Sequence, residues 1–317
     1  MNLPDGSKPS DLRTLLRSEV ALSRYSTFQI GGTAQYFSEP ACLEEVQTLL
    51  DFARNEDLPF LVIGKGSNVL FPEEGFPGLV ITLIHFNQRR IDFDVGRSVV
   101  TASAGVNLYK LAIATRDACM GGLEFLSHVP GTLGGALVMN AGFSRFSGQK
   151  KEIGGLVEGV TVINSSGEIV TLGREGLDFK YRQTNLDGII VLEAKLKLYP
   201  AKRSAIQSEI QANFSYRNGV QDLRYPSAGS VFKNPEGKQG SSGQLIDQIG
   251  LKGTRIGGAM ISDRHANFIV NLGGARSSDV VDLIRLAQDR VFEEFGVHLE
   301  PEIRIIPSPE ELVSVPR

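Results

Sequence analysis

Apolar positions switch along the chain between a spacing of three to four and strict alternation, and the switches predict the elements. Leu43, Val46, Leu49, Leu50 and Ala53 form one stripe between charged faces, so a helix follows Pro40. Pro59 stops it, and the apolar run 60–63 reads as a buried strand ending at Gly64. Strand composition resumes at 69–71, and a short strand-like piece surrounds Tyr36 and Phe37. Further strands are expected over 79–84, 90–95 and 98–102, the last two joined by Gly96 and Arg97. Leu108, Leu111, Ala112 and Thr115 predict a helix over 107–120 with Gly121 as its stop. Ser165, Ser166 and Gly167 mark a hairpin between 160–163 and 168–172, and Pro200 closes a long strand over 189–198.

The last third opens with a helix over 204–217, followed by a short helix over 244–249 and a strand over 268–271. The final helix has Ser277 or Ser278 as its cap and Gly296 as its end. Its expected buried stripe is Val281, Ile284, Ala287, Val291, Phe292 and Phe295. A terminal strand over 301–306 places Ile303 and Ile305 on one face and Glu302, Arg304 and Ile306 on the other. Strands and helices mixed in this order make the chain α+β, with one unit spanning about 23–200.

Glycine redirects attention from packing to binding. The stretch 121–142 reads GGLEFLSHVPGTLGGALVMNAG, where Gly131, Gly134 and Gly135 precede Ala136, Leu137, Val138 and Met139. This pattern predicts a tight turn opening into a short apolar helix or strand. Its amides suit a phosphate, although small residues also mark two elements crossing closely. Gly64, Lys65, Gly66, Ser67 and Asn68 form a second such turn. It lacks the third glycine and the following helix of a dinucleotide fingerprint, and it is no P-loop, which leaves a pyrophosphate turn or a plain hairpin. YPSAGSVFKNP, from Tyr225 to Pro235, reads equally as a loop or as a polar site.

Composition removes whole classes. A formal net charge of −3 over 317 residues argues against a nucleic-acid binder. No apolar run approaches the roughly 18 residues of a membrane span, and the N-terminus lacks a secretory core, so a cytoplasmic location is expected. Cys42 and Cys119 read as small core residues, and the four histidines show no metal-ligand spacing, so no metal is expected.

Taken together and in order, the segments carry a resemblance. RYSTFQIGG, VIGKGSNVL, GLEFLSHVPGTLGGALVMNAG, FKYRQT, YPSAGSVFKNP, QLIDQIGLKGTRIGGAMIS, HANFIVN and PEIRII resemble UDP-N-acetylenolpyruvoylglucosamine reductases (MurB enzymes) over about 23–306. The resemblance implies a two-subdomain FAD-binding fold of the vanillyl-alcohol-oxidase (PCMH) type plus a C-terminal α+β substrate domain. The corresponding boundaries are an extension over 1–22, an FAD-binding domain over 23–200 with subdomains of about 23–85 and 86–200, and a substrate domain over 201–317. It implies NADPH-dependent reduction of an enolpyruvyl ether of UDP-N-acetylglucosamine to UDP-N-acetylmuramate in peptidoglycan synthesis. A monomer without nucleic-acid or membrane partners is expected. The rival from the same fold group is a flavin-dependent alcohol or lactone oxidase. Such enzymes often attach FAD through His or Cys, and no histidine lies among the early glycine turns.

The resemblance also assigns roles. Arg182 matches the arginine that would meet charge on the substrate carboxylate, Ser230 the proton donor, and Glu302 a carboxyl group held protonated beside it. Gly64, Lys65, Gly66, Ser67, Asn68, Gly131, Thr132, Gly134, Gly135 and Asn140 match flavin-binding positions, and Tyr181, Lys233, Asn234, His265 and Asn267 substrate-binding ones. Thr184 stands where the family usually has serine, retaining the hydroxyl. The short interval from Arg182 to Ile189 leaves no room for an extra tyrosine-bearing loop, which resembles the shorter, second subtype.

Overall fold

A computed structural model describes residues 12–143, 151–237 and 240–307. Its first sheet runs in the order Arg17–Ala21, Thr33–Ser38, Phe76–Thr82, Phe60–Ile63, antiparallel at the first pair and parallel at the other two. Helix Leu43–Asn55 leads from Thr33–Ser38 to the edge strand Phe60–Ile63 and buries Val46, Leu49 and Ala53, as the stripe predicts. Arg17–Ala21 is an edge strand within the stretch that the sequence marks as an extension. Its RSEVA composition shows no alternation, and its side chains are exposed or half-buried. Phe60–Ile63 is the opposite edge, which corrects the expected buried strand: Phe60 is 45% exposed.

The second sheet is antiparallel, in the order Ile169–Gly173, Val157–Ile163, Ile190–Lys197, Val99–Ser103, Ile91–Asp94. Both expected hairpins are present, joining the first two strands and the last two. Helix Leu108–Asp117 is capped by Asn107, whose side chain accepts the Lys110 N–H, and it ends three residues before the predicted limit. Cys119 at φ +56° leaves the helix, and Met120–Gly121 then pairs with Tyr199–Pro200. Neither cysteine is a core residue as expected. Cys119 is exposed, and half-buried Cys42 holds the N-cap of Leu43–Asn55.

The C-terminal sheet has the order Ser227–Ser230, Phe268–Asn271, Ala259–Ile261, Arg255–Ile256. Helix Ser242–Gln248 starts in a capping box formed by Ser241 and Gln244. Helix Ser277–Phe295 buries Val280, Leu283, Ile284, Ala287 and Val291, whereas Phe292 is 47% exposed and stacks on His298 at 4.3 Å. The stripe therefore sits one residue earlier than predicted at its start. Arg276, not Ser277 or Ser278, is the N-cap, because both serines bond to the Glu73 carboxylate. Of the predicted terminal strand, Arg304–Ile305 pairs in parallel with Val69–Leu70, and Pro301 forms an isolated antiparallel bridge with Phe232. Ile303 and Ile306 are buried and Ile305 is exposed, so alternation fails there.

Three apolar clusters underlie these sheets. Phe28, Ile30 and Leu70 come from the first part of the chain yet belong to the C-terminal cluster, which fastens the sheets to one another. Helix Arg203–Val220 spans the join. Asn213 Nδ2 donates to the Glu124 carbonyl at 3.0 Å, and Arg264, from the loop between Ala259–Ile261 and Phe268–Asn271, donates to the carbonyls of Asn218 and Gly219. No helix among the described residues is long and apolar enough to cross a membrane.

Candidate active site

A cavity of about 600 Å³ opens where the sheets meet, within the range of cofactor and substrate sites. Its walls include the edge strand Phe60–Ile63, both glycine turns, the loop 186–191, and Arg182, Ser230 and Glu302.

The first turn leaves the edge strand at Gly64. Phe60–Ile63 and Val69–Leu70 do not pair with each other, so the segment is not a hairpin. Gly66 adopts φ +63°, and a Cβ there would lie 1.8 Å from the Tyr25 carbonyl oxygen, so only glycine fits. Ser67 Oγ donates to the Pro130 carbonyl at 2.6 Å, joining the two glycine turns. Asn68 lines the cavity, yet its side chain works on the protein: Nδ2 donates to the Glu302 carbonyl at 3.1 Å. Its own carbonyl accepts the Arg304 N–H at 2.9 Å.

The second turn opens into helix Leu133–Val138 behind Thr132. Leu133 and Gly134 donate their N–H groups to the carbonyls of Val106 and Ala104, at 2.8 and 2.9 Å. Those two amides are therefore committed to the protein and are not anion donors. A Cβ on Gly134 would stand 3.0 Å from Ala104 Cβ, so this glycine serves close helix–strand packing. Exposed Gly135 lies beside it on the cavity wall, where a Cβ would meet only Thr132 Oγ1, at 3.7 Å. The bare wall suits a flat ligand pressed against the main chain.

Asn140, expected at the flavin, lies off the cavity wall with its amide bonded to the protein. It is buried at φ +41°, its Nδ2 donates to the Lys180 carbonyl at 2.8 Å and to Glu152 Oε2 at 3.0 Å, and its Oδ1 accepts the Gly154 N–H. The effect is to hold the hairpin Phe179–Lys180 and Gln183–Thr184, whose tip is Tyr181 and Arg182. Thr184 Oγ1 donates to the Val138 carbonyl at 2.9 Å, so the hydroxyl at the usual serine position is in use. Arg182 adopts φ +57°, and its Nη2 donates to the Gly142 carbonyl at 3.0 Å. Its Nε donates to Glu302 Oε1 at 2.6 Å.

Glu302 arrives from the far end of the chain. Its N–H donates to the Val231 carbonyl at 2.7 Å, placing it beside the residue that follows Ser230. Burial pushes its carboxyl above the ordinary range, against the lowering influence of Arg182 and Lys233. All three predicted catalytic residues thus face one cavity.

The five predicted substrate residues lie off its wall. Tyr181 OH accepts the Asn234 N–H at 3.3 Å, and Asn234 Oδ1 accepts the Ser242 N–H. Lys233 pairs with Glu300. Desolvation lowers the proton affinity of half-buried His265, whose Nδ1 accepts the Asn267 N–H. Asn267 accepts from the Phe232 N–H and donates to its carbonyl, both at 2.9 Å, so its amide is spent on the backbone.

Comparison with known proteins places this geometry. Residues 221–306 match the family model for the C-terminal domain of UDP-N-acetylenolpyruvoylglucosamine reductase, and residues 34–173 match an FAD binding domain. The reductase of Chloroherpeton thalassium is 40% identical, covering 94% of this chain and 96% of its own. That of Synechococcus elongatus is 39% identical, covering 92% and 94%. The chain belongs to the UDP-N-acetylenolpyruvoylglucosamine reductase family. The crystal structure of the MurB of Thermus caldophilus, 37% identical, superposes with a TM-score of 0.76 over 92% of this chain and all of that one. The α+β flavoprotein fold expected from the sequence is thereby established.

This MurB-family chain also has wall residues that its motifs do not reveal. Arg217 reaches the cavity from helix Arg203–Val220, donating from Nη1 to the His128 carbonyl and from Nε to Gln221 Oε1 at 2.7 Å. Burial lowers its proton affinity. The available signal was its place after Ile206, Ile210 and Asn213 on the helix's buried stripe, where a cation is out of pattern. Asp187, in the loop before strand Ile190–Lys197, is also on the wall and pairs at 2.6 Å with Arg304 of the PEIRII motif.

The Arg182–Glu302 pair gives a direct prediction. Replacing Arg182 with Met removes the main lowering influence on Glu302, so the carboxyl should titrate at still higher pH, read by 13C NMR of labelled glutamate. A raised folded pKa favours the fold below the unfolded pKa and loses that contribution as pH rises through the folded value. The variant should therefore lose stability relative to the parent as pH rises through the acid-to-neutral range. A Glu302 resonance titrating at or below its parental position contradicts the coupling.

Proposed function

We propose that the chain is an FAD-dependent UDP-N-acetylmuramate dehydrogenase, reducing the enolpyruvyl ether of its UDP-sugar substrate with NADPH for peptidoglycan precursor synthesis. The observation that carries this reading is the convergence of Arg182, Ser230 and Glu302 on a cavity walled by two glycine turns. The turns fit a flavin dinucleotide: exposed Gly135 offers main chain to a planar ring system, while Gly64 to Ser67 bend around the cavity beside it. Arg217 supplies a half-buried positive charge on the same wall. Bound FAD would supply hydride relay between NADPH and the vinyl group.

The protein's own residues account for the remaining chemistry. Arg182 carries a permanent charge in a planar fork and suits the substrate carboxylate, where negative charge spreads once the double bond is reduced. Pairing with Glu302 keeps that guanidinium aimed. Ser230 offers its O–H to the carbon that must gain a proton. An ordinary serine is a weak acid, so the transfer relies on the basicity of the enolate-like carbon it faces. Glu302, with its proton favoured by burial, can sit against the substrate carboxylate and donate a hydrogen bond. The same reading makes the enzyme a cytoplasmic monomer that serves cell-wall growth, and hence cell shape and division.

Anaerobic mixing tests the reading. NADPH should bleach the yellow flavin band near 450 nm, roughly its usual position, and the enolpyruvyl UDP-sugar should restore it. Restoration by oxygen at full speed instead marks an oxidase, and absence of bleaching contradicts a reductase.

A further inference from the structure

The segment from Arg24 to Gly32 carries part of the family resemblance yet has no part in the chemistry above. Its backbone runs between the two halves of the site. Thr27 N–H donates to the Gly66 carbonyl at 3.0 Å, beside the Tyr25 carbonyl against which Gly66 packs. In the other direction the Thr27 hydroxyl donates to the Ser227 carbonyl at 2.8 Å. Phe28 and Ile30 continue into the C-terminal core, where Asn271 Nδ2 donates to the Phe28 carbonyl at 3.0 Å. Thr27 itself lines the cavity.

Strand Ser227–Ser230 needs such an anchor. Its pairing with Phe268–Asn271 is irregular between Ser227 and Ser230, where Gly229 adopts φ +78°. A bulge of this kind interrupts the ladder and re-aims the side chain that follows it. Beyond the bulge, Val231 is held on both sides, its N–H by the Asn267 carbonyl and its carbonyl by the Glu302 N–H. Before the bulge, the Thr27 hydroxyl clamps Ser227 across 200 residues of sequence. The direction of Ser230 is therefore set by two fixed points, one of them tied to the turn that bends around the cofactor cavity.

We propose that Thr27 is a positioning residue, whose hydroxyl couples the glycine turn Gly64 to Asn68 to the bulged strand bearing Ser230. The kinetic side of this inference rests on the reductase reading; the structural side does not.

Thr27→Val in the holoenzyme, with Thr27→Ser as the conservative variant, tests it by two measurements. By hydrogen exchange, the valine variant should exchange the segment 225–232 about five- to tenfold faster, as loss of one hydrogen bond would give, with 268–271 unchanged. In stopped flow, bleaching by NADPH should stay within about twofold, while recolouring by the enolpyruvyl UDP-sugar slows about ten- to a hundredfold. Serine should restore both. Unchanged exchange at 225–232, equal slowing of both half-reactions, or a serine variant as impaired as valine overturns the proposal. A parent enzyme that is never recoloured by that substrate sinks the reductase reading instead, and the exchange result still decides the clamp. Should the valine variant be insoluble, Thr27→Ala carries the same two measurements.

Discussion

Ser230→Ala should leave bleaching of the flavin by NADPH within about twofold of the parent, while recolouring by the enolpyruvyl UDP-sugar slows by about 10² to 10⁴, the range spanned by general-acid groups. The asymmetry follows from where the hydroxyl stands. Ser230 lies on the C-terminal sheet and shares the cavity with Arg182 and Glu302, whereas the turns assigned to FAD belong to the first two sheets. Reduction by NADPH needs no proton at the substrate carbon; completing the second half-reaction does. The change removes one oxygen from a half-buried strand residue whose backbone pairing with Phe268 persists, so the fold should survive it. Stopped-flow absorbance separates the two halves. Equal slowing of both would mean that Ser230 acts on the cofactor or on the fold, and the proton-donor role would be lost.

The parts of this site that local pattern reveals are those whose chemistry is written in neighbouring residues. Both glycine turns and the apolar helix after Thr132 are legible because glycine clusters and short apolar runs are local signals. Pattern left the segment Gly64 to Asn68 open between hairpin and binding turn. What decides it is the pairing of Val69–Leu70 with Arg304–Ile305, a contact between distant parts of the chain. The Arg182–Glu302 ion pair is of the same kind, spanning 120 positions that no periodicity connects. Motif membership does not show where a side chain's hydrogen bonds go. Asn140 and Asn267 stand in motifs rich in binding residues, yet their amides satisfy buried backbone groups, which carry as strict a demand for partners as any ligand. The last helix misled by ambiguity: Val280 and Val281 are adjacent, and tertiary packing chose the stripe beginning at Val280. At Ile305 alternation failed because two paired residues are too few to impose a face.

Two neighbouring glycines should respond in opposite ways, and the contrast tests the cofactor wall more sharply than either alone. Gly135→Leu should yield a folded protein that purifies colourless, because its side chain would enter the open face of the cavity, where the nearest neighbour of a new Cβ is Thr132 Oγ1 at 3.7 Å. The helix itself loses nothing, since leucine is a better helix former than glycine by about 0.5–1 kcal/mol. Gly134→Val acts on the opposite side. Its Cβ would press at 3.0 Å on Ala104 Cβ, and the helix would have to lift from the strand end to which Gly134 N–H donates. Overpacking of this kind costs typically about 1–3 kcal/mol, so this variant should melt earlier and lose colour only as far as its fold loosens. Thermal unfolding with flavin content measured on the same samples distinguishes the two. A Gly135→Leu protein with full yellow colour places the flavin elsewhere. A Gly134→Val protein as stable as the parent shows that the helix and strand tolerate the wider spacing. Adjacent glycines on a single turn of helix thus meet different surroundings: a Cβ on Gly134 presses on Ala104, and one on Gly135 meets open space beyond Thr132 Oγ1.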